Sequence, residues 1–200
     1  MIRGGDFYAI WLEDRGIWST NEMDVVDLID DAIEEFYNTH HEEIPSMHML
    51  KMGDAETGMI DAWHRYCQRQ MRDNYVPLDE HLVFANSPVR KEDYASKRLP
   101  YPLEVGDFSL WDRLIGTLYS EEERHKLEWA IGSIVSGDSK KLQKFLVLYG
   151  AQGTGKSTIL NVIEKLFAGY CSIFDAHALG SASNQFALEA FRSNPLVAIQ

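Results

Sequence analysis

Cysteines and long apolar runs are scarce in this sequence of 200 residues. Its two cysteines, Cys67 and Cys171, lie far apart within apolar patterns, so they favour reduced core thiols over a disulfide framework. No apolar run approaches the roughly 18 to 20 residues that cross a bilayer, and no apolar signal segment follows the first residues. These absences predict a folded protein of the cytoplasm with no membrane as a partner.

Basic side chains are few at the start of the chain. Residues 1–60 hold 14 acidic and 3 basic residues, whereas residues 61–200 hold 17 and 16. The acidic excess would repel a phosphate backbone, so we expect this part to face solvent, a neighbouring subunit or a basic partner. Two basic clusters elsewhere are candidates for nucleic-acid contact, although solvated charge pairs are the simpler interpretation. These clusters are Arg65, Arg69 and Arg72, and Arg90, Lys91, Lys97 and Arg98.

Hydrophobic periodicity predicts that residues 1–106 form a mainly helical α+β accessory domain. The predicted elements are strands 7–11 and 16–19 joined as a hairpin, a helix capped by Asn21, a helix over residues 55–72 and a strand over residues 82–85. Residues 86–106 contain three prolines and predict a linker. A second domain is expected over residues 107–200. It opens with a helix over residues 108–118 and a capping box, Ser120 to Glu123, that starts the next helix.

The most informative stretch, residues 150–157, fits G-x-x-x-x-G-K-[ST] completely. It follows the apolar run 145–149, which predicts a buried strand, and precedes the helix-like stretch 158–167. The glycines allow a tight turn, so that successive N–H groups point at a polyphosphate from a helix N-terminus. A chance glycine-rich turn is the alternative, but the complete match and its context disfavour it. The sequence therefore predicts a nucleoside triphosphate site.

The motif assigns a chemical role to each residue type. Lys156 is the predicted catalytic residue, because its charge would act at the β and γ phosphates. Ser157 would supply the hydroxyl that ligates Mg²⁺. The predicted cofactors are thus ATP and Mg²⁺. The residues predicted to bind the nucleotide are Gly150, Ala151, Gln152, Gly153, Thr154, Gly155, Lys156, Ser157 and Thr158.

The acidic metal ligand of such a site is not evident in the chain. Residues 171–175 and 195–200 read as the next strands of an α/β fold. Asp175 is the one acid that closes an apolar run there, but it follows the strand directly after the first helix, which is not usually the metal strand. We therefore expect the acids to lie beyond Gln200, with this chain as part of a longer protein.

Several stretches together resemble phage and plasmid primase-helicases of the poxvirus type, members of helicase superfamily 3. The likeness covers most of the chain, but only the phosphate loop is specific by itself. Upstream, the similar stretches are residues 7–11, 16–18, 83–87 and 99–101. Downstream, they are the loop itself, Gly169 and Tyr170, residues 186–188 and residues 194–197.

The resemblance implies a P-loop ATPase core of the AAA+ type, here incomplete at its C-terminal end. Such a motor translocates on DNA, often behind a primase domain, and assembles as a homo-oligomeric ring, expected to be a hexamer. The implied activity is an ATP-dependent DNA helicase of phage or plasmid replication. Residues 195–200 would be the strand leading to the second acidic motif. The sensor, the arginine finger and the DNA-binding hairpin would lie beyond Gln200, so the 200 residues alone are expected to be inactive.

Two other classes of function share the phosphate loop. A small-molecule kinase is one, but a long accessory domain ahead of the loop is unusual for it. An ATP-binding switch or assembly protein without unwinding activity is the other. Paired acids followed by a basic hairpin and an arginine after Gln200 would favour the helicase over both.

Overall fold

The computed structural model is a mixture of helices and small sheets. It describes residues 2–4, 7–40, 65–70, 76–180, 188–192 and 194–200. The chain divides into two compact units, Met1–Leu78 with Val89–Ser96, and Asp79–Pro88 with Lys97–Gln200. The sequence predicted the domain boundary at residue 106. The chain passes between the two units upstream of that residue.

The first unit is built on a three-stranded antiparallel sheet. Its strands, in spatial order, are β1 (Ile2–Gly4), β2 (Phe7–Leu12) and β3 (Ile17–Ser19). The predicted hairpin is confirmed, since β2 pairs with β3 and Trp11 lies opposite Trp18. Ala9, Ile10 and Trp18 of this sheet are buried. Ala9 and Ile10 are neighbours along β2, so their side chains point to opposite faces of the sheet.

Helix α1 (Glu22–His40) follows the sheet. The Asn21 cap is confirmed, because Met23 N donates to Asn21 Oδ1 over 3.1 Å. Val25 and Val26 of this helix are buried, whereas Leu28 is exposed. Of the second predicted helix only residues 65–70 are described, and they are helical, with Cys67 buried and Tyr66 exposed. No helix among the described residues is both long and apolar enough to cross a membrane.

Residues 89–96 pack against the hairpin rather than forming a linker. Trp18 N donates to Ala95 O over 2.8 Å, and Trp18 Nε1 donates to Lys91 O over 2.8 Å. Gly16 has φ +60°, and a β-carbon there would lie 2.5 Å from Val89 Cγ1. The close approach of Val89 therefore requires glycine at the end of the turn.

The second unit contains most of the helices. They are α2 (Ser109–Leu118), α3 (Glu121–Val135), α4 (Ser139–Leu142), α5 (Lys156–Leu166) and α6 (Ala176–Leu179). Short 3-10 turns lie at Lys91–Asp93, in the first unit, and at Glu189–Phe191. The predicted capping box is confirmed: Glu123 N donates to Ser120 Oγ, and Ser120 N donates to Glu123 Oε2. The Glu123 carboxylate accepts hydrogen bonds from the Ser120 N–H and hydroxyl, and these two bonds lower the pKa of the Glu123 carboxyl.

Two short strands, β4 (Cys171–Ile173) and β5 (Val197–Ile199), pair in parallel and confirm two of the predicted strands. The core of this unit joins helices to the sheet. It contains Ile115 of α2, Leu127 of α3, Ile159 and Ile163 of α5, Phe167 and Val197. The order helix, strand, crossover, strand agrees with an α/β arrangement at this point of the chain.

The strand predicted over residues 145–149 is not formed. These residues have no regular secondary structure, and Phe145, Val147 and Tyr149 are 89%, 67% and 98% exposed. A strand forms only against a partner, and no described residue hydrogen-bonds the backbone of this segment. The apolar composition favoured a strand, but none of the described strands pairs with this segment.

The predicted linker and the predicted strand over residues 82–85 are both wrong. Leu99 is fully buried, and Leu99 N donates to Val83 O over 2.7 Å. Ala85 N donates to Tyr101 O over 3.0 Å, although no regular strand results. The Arg98 guanidinium adds bonds to Phe84 O and Ser87 O. Residues 83–87 and 98–101 are thus held together by hydrogen bonds to backbone carbonyls.

Tyr170 joins these segments to the sheet. Its hydroxyl donates to Lys97 O over 2.8 Å and accepts from Val83 N over 3.3 Å. Its own carbonyl accepts from Leu196 N and Val197 N, at the start of β5. Burial, and then the charge of Asp79, raises the pKa of Tyr170 to about 12. The hydroxyl therefore stays protonated at neutral pH and keeps donating.

Replacing Tyr170 by phenylalanine should lower the free energy of unfolding by about 1–3 kcal/mol, because it leaves the buried Val83 N–H and Lys97 carbonyl without their partner. Urea denaturation measures this change. Tyr119→Phe is the matched control, since the Tyr119 hydroxyl is buried and has no hydrogen-bond partner among the described residues. That variant should be neutral or slightly more stable. Equal losses for the two variants would contradict the bridging role of Tyr170.

Candidate phosphate-binding loop

The loop at residues 150–157 ends where α5 begins. Gly153 and Gly155 have φ +83° and +78°, the left-handed region that other residues rarely adopt. Gly155 is the residue immediately before α5, and its carbonyl accepts from Ile159 N over 3.1 Å, the first bond of the helix. The sequence thus predicted correctly that a glycine turn leads directly into a helix.

The first turn of α5 is open to an anion. No side chain caps it at Gly155, and it contains no acidic residue. The backbone N–H groups of Lys156, Ser157 and Thr158 have no hydrogen-bond partner among the described residues. By contrast, a side-chain oxygen caps α3 at Ser120 and α6 at Asp175. Free amides at the positive end of an 11-residue helix favour a negatively charged ligand.

The Lys156 ammonium lies on the loop itself. Its Nζ donates to Gly150 O at 2.9 Å, to Ala151 O at 2.6 Å and to Thr154 Oγ1 at 3.1 Å. An ammonium has three N–H donors, so all of them are used within the loop. A phosphate oxygen would have to replace at least one of these bonds.

Ser157 and Thr158 are exposed on the first turn of α5, and neither hydroxyl has a hydrogen-bond partner among the described residues. The Ser157 hydroxyl therefore fits the role of a Mg²⁺ ligand, because Mg²⁺ in such sites takes few protein oxygens and completes its shell with phosphate and water. Asp175 follows β4 and is exposed. Its Oδ1 accepts from His177 N over 2.8 Å, so one of its two oxygens serves as the cap of α6.

A helix from outside the loop supports Gly155. A β-carbon at Gly155 would lie 2.7 Å and 2.9 Å from the two terminal methyls of Leu118, the last residue of α2. Nothing lies within 4 Å of the equivalent position at Gly153. The sequence analysis did not identify Leu118, because the only local signal is that it ends a predicted helix.

The residues of the basic clusters mostly have intramolecular partners. In the second cluster, Arg90 pairs with Asp93 at 3.2 Å and Lys97 pairs with Asp79 at 3.4 Å. Lys91 lies over the Trp18 ring, 5.6 Å from its centroid. Arg98 binds the carbonyls described above. In the first cluster, Arg65 and Arg69 are exposed, and Arg72 lies outside the described residues.

A groove in this unit lies apart from the phosphate loop. It has a volume of about 780 Å³ and lies between residues 144–148, residues 196–200 and the apolar face of α3. None of its lining residues belongs to residues 150–158. Because the lining is mostly apolar, the groove does not suit a polyphosphate, whereas the loop amides do.

Among the described residues, no three histidine, cysteine or acidic side chains lie together as a metal site. A comparison with protein families, with curated proteins and with solved structures finds no match.

Replacing Gly153 and Gly155 by alanine should separate backbone strain from steric contact. Either change costs about 1–2 kcal/mol of strain at positive φ. Gly155→Ala should cost about 1–3 kcal/mol more, because its methyl group meets Leu118 in the core. Chemical denaturation of the two variants gives the difference. Equal destabilisation would show that Leu118 moves aside freely and that the contact with Gly155 is weak.

Proposed function

We propose that this chain binds ATP with Mg²⁺ through residues 150–158, as part of a DNA helicase that is driven by ATP hydrolysis. One observation carries the nucleotide site: the loop glycines lead into a helix whose first amides have no partner among the described residues. Such amides, aligned with the helix dipole, form a ready anion-binding site. The adjacent Lys156 makes the site selective for more than one negative charge.

Each group of the loop would have its own role in binding the nucleotide. The amides of Lys156, Ser157 and Thr158 would hold the phosphate chain. Lys156 Nζ would exchange its hydrogen bonds to loop carbonyls for bonds to β and γ phosphate oxygens, so that the ammonium is hydrogen-bonded both before and after binding. The Ser157 hydroxyl would hold the Mg²⁺, which when bound supplies charge neutralisation between those phosphates.

The helicase part of the proposal rests on the resemblance to superfamily 3 primase-helicases. On that basis the protein hydrolyses ATP, assembles as a ring, expected to be hexameric, and moves along DNA in the cytoplasm. The acidic excess of residues 1–60 favours a DNA path elsewhere, because acidic side chains oppose binding to a phosphate backbone. Arg98 and Lys97 are engaged with the protein itself, which also argues against DNA contact there.

A kinase or an ATP-dependent switch would use the same loop, so the loop alone does not separate them from a helicase. The discriminating property is coupling to DNA. Single-stranded DNA would stimulate hydrolysis by a helicase, whereas a kinase would respond to a small phosphate acceptor instead.

Lys156→Ala should weaken binding of Mg·ATP about 10- to 100-fold, which corresponds to the loss of about 1.5–3 kcal/mol from a charge-assisted hydrogen bond. Isothermal titration calorimetry on the 200-residue chain measures the affinity. The fold should be retained, because the lysine contacts only the loop.

Lys165→Ala is the matched control for this experiment. It removes the same charge from the last turn of the same helix, far from its N-terminus. That variant should bind Mg·ATP with nearly unchanged affinity. If wild-type protein shows no binding, or if both lysine variants lose affinity equally, the loop is not a nucleotide site.

A further inference from the structure

The three glycines of the phosphate loop have different neighbours. Around Gly153 the space for a β-carbon is open, and at Gly150 the nearest atom is the loop's own Thr154 hydroxyl, at 3.3 Å. Only Gly155 is approached by a residue from another element, Leu118 of α2. All three of the atoms closest to a β-carbon at Gly155 belong to that leucine. The rest of the loop is exposed or half-exposed.

Leu118 is itself fixed by the core beneath it. It packs, with Leu114, against a cluster that includes Ile115 and Ile159, both of which are fully buried. Ile159 is the residue whose N–H donates to Gly155 O. Leu118 therefore contacts Gly155, the residue before α5. The hydrophobic cluster against which Leu118 packs contains Ile159, in the first hydrogen-bonded turn of α5.

The position of α2 is set in turn by polar contacts with α3. Trp111 Nε1 donates to Glu128 Oε1 over 2.9 Å. The Arg124 guanidinium binds both Asp112 of α2 and Glu128, the latter over 2.8 Å. These contacts hold α2 near its beginning and middle, so its C-terminal residue presents a defined surface to the loop.

We propose that Leu118 is a positioning residue of the nucleotide site, which acts through Gly155. Its methyls support the left-handed backbone at Gly155 and so keep the amides of Lys156, Ser157 and Thr158 aimed at one point. The effect on nucleotide affinity rests on the proposed function, whereas the effect on loop order does not. Ordering the loop before binding lowers the entropy that a ligand would otherwise lose.

Truncation at this position has a matched control. Leu114→Ala removes the same atoms from the same helix and the same cluster, one turn earlier. Both variants should lower the unfolding midpoint, because both leave a cavity at the core. Only Leu118→Ala should change the loop. Leu118→Met, which conserves volume, should restore wild-type behaviour, and Leu118→Val provides a milder truncation if the alanine variant does not fold.

The first measurement uses no nucleotide. Backbone ¹⁵N order parameters of residues 153–157 should fall from about 0.85 towards about 0.6 in Leu118→Ala, the range that separates rigid from flexible backbone. They should remain unchanged in Leu114→Ala and Leu118→Met. Equal loosening in the two alanine variants, or none in either, overturns the positioning role even if the protein binds ATP.

The second measurement is the affinity for Mg·ATP by calorimetry. Leu118→Ala should bind about 3- to 10-fold more weakly, the range expected for a residue that influences a site without touching the ligand. Leu114→Ala and Leu118→Met should bind as wild type does. If wild-type protein binds no nucleotide, the proposed function fails, and the order parameters still decide the role of Leu118. An unchanged affinity in Leu118→Ala, with wild type binding normally, contradicts the proposal.

Discussion

The left-handed backbone of Gly155 is the constraint on which the candidate site depends. A serine, threonine, asparagine or aspartate in its place would cap α5 with its own side chain and use an amide that an anion needs. Any β-carbon would also meet Leu118. Glycine at this residue therefore does three things together: it ends the loop, begins α5 at Lys156, and leaves the first amides free of protein partners. By contrast, side chains close the starts of α3, at Ser120, and of α1, at Asn21.

The phosphate loop is held in place although the residues before it, 145–149, form no strand. Lys156 crosslinks the loop internally through Gly150, Ala151 and Thr154. Leu118 supports it from α2, and Ile159 fixes the helix that follows. Binding a phosphate replaces some hydrogen bonds within the loop by new ones, and the free energy gained is the difference between the two sets. The affinity therefore depends on the internal bonds of the loop as much as on the lysine charge.

Local patterns in the sequence predicted local structure well, and tertiary contacts account for the failures. The hairpin, the Asn21 cap, the capping box and the glycine turn each depend on residues within a few positions of one another. The strand over residues 145–149 failed because a strand needs a partner that its own sequence cannot supply. The linker failed because Leu99, within it, is buried, and because the Tyr170 hydroxyl, far along the chain, donates to Lys97 O. Leu118 was missed for the same reason, since its contact with Gly155 spans 37 positions and no motif marks it. The nucleotide residues themselves remain predictions that the loop geometry supports.

The most direct test of the nucleotide site is a titration of the ¹⁵N-labelled chain with Mg·ATP, followed by backbone amide chemical shifts. Coordination of the phosphates by the first turn of α5 predicts saturable shifts that are largest at Gly155, Lys156, Ser157 and Thr158. Mg²⁺ alone should produce much smaller changes there, because the amides bind an anion. Shifts confined to other parts of the chain, such as the groove along β5, would contradict the assignment of the loop. The absence of any shift at millimolar Mg·ATP would contradict it equally.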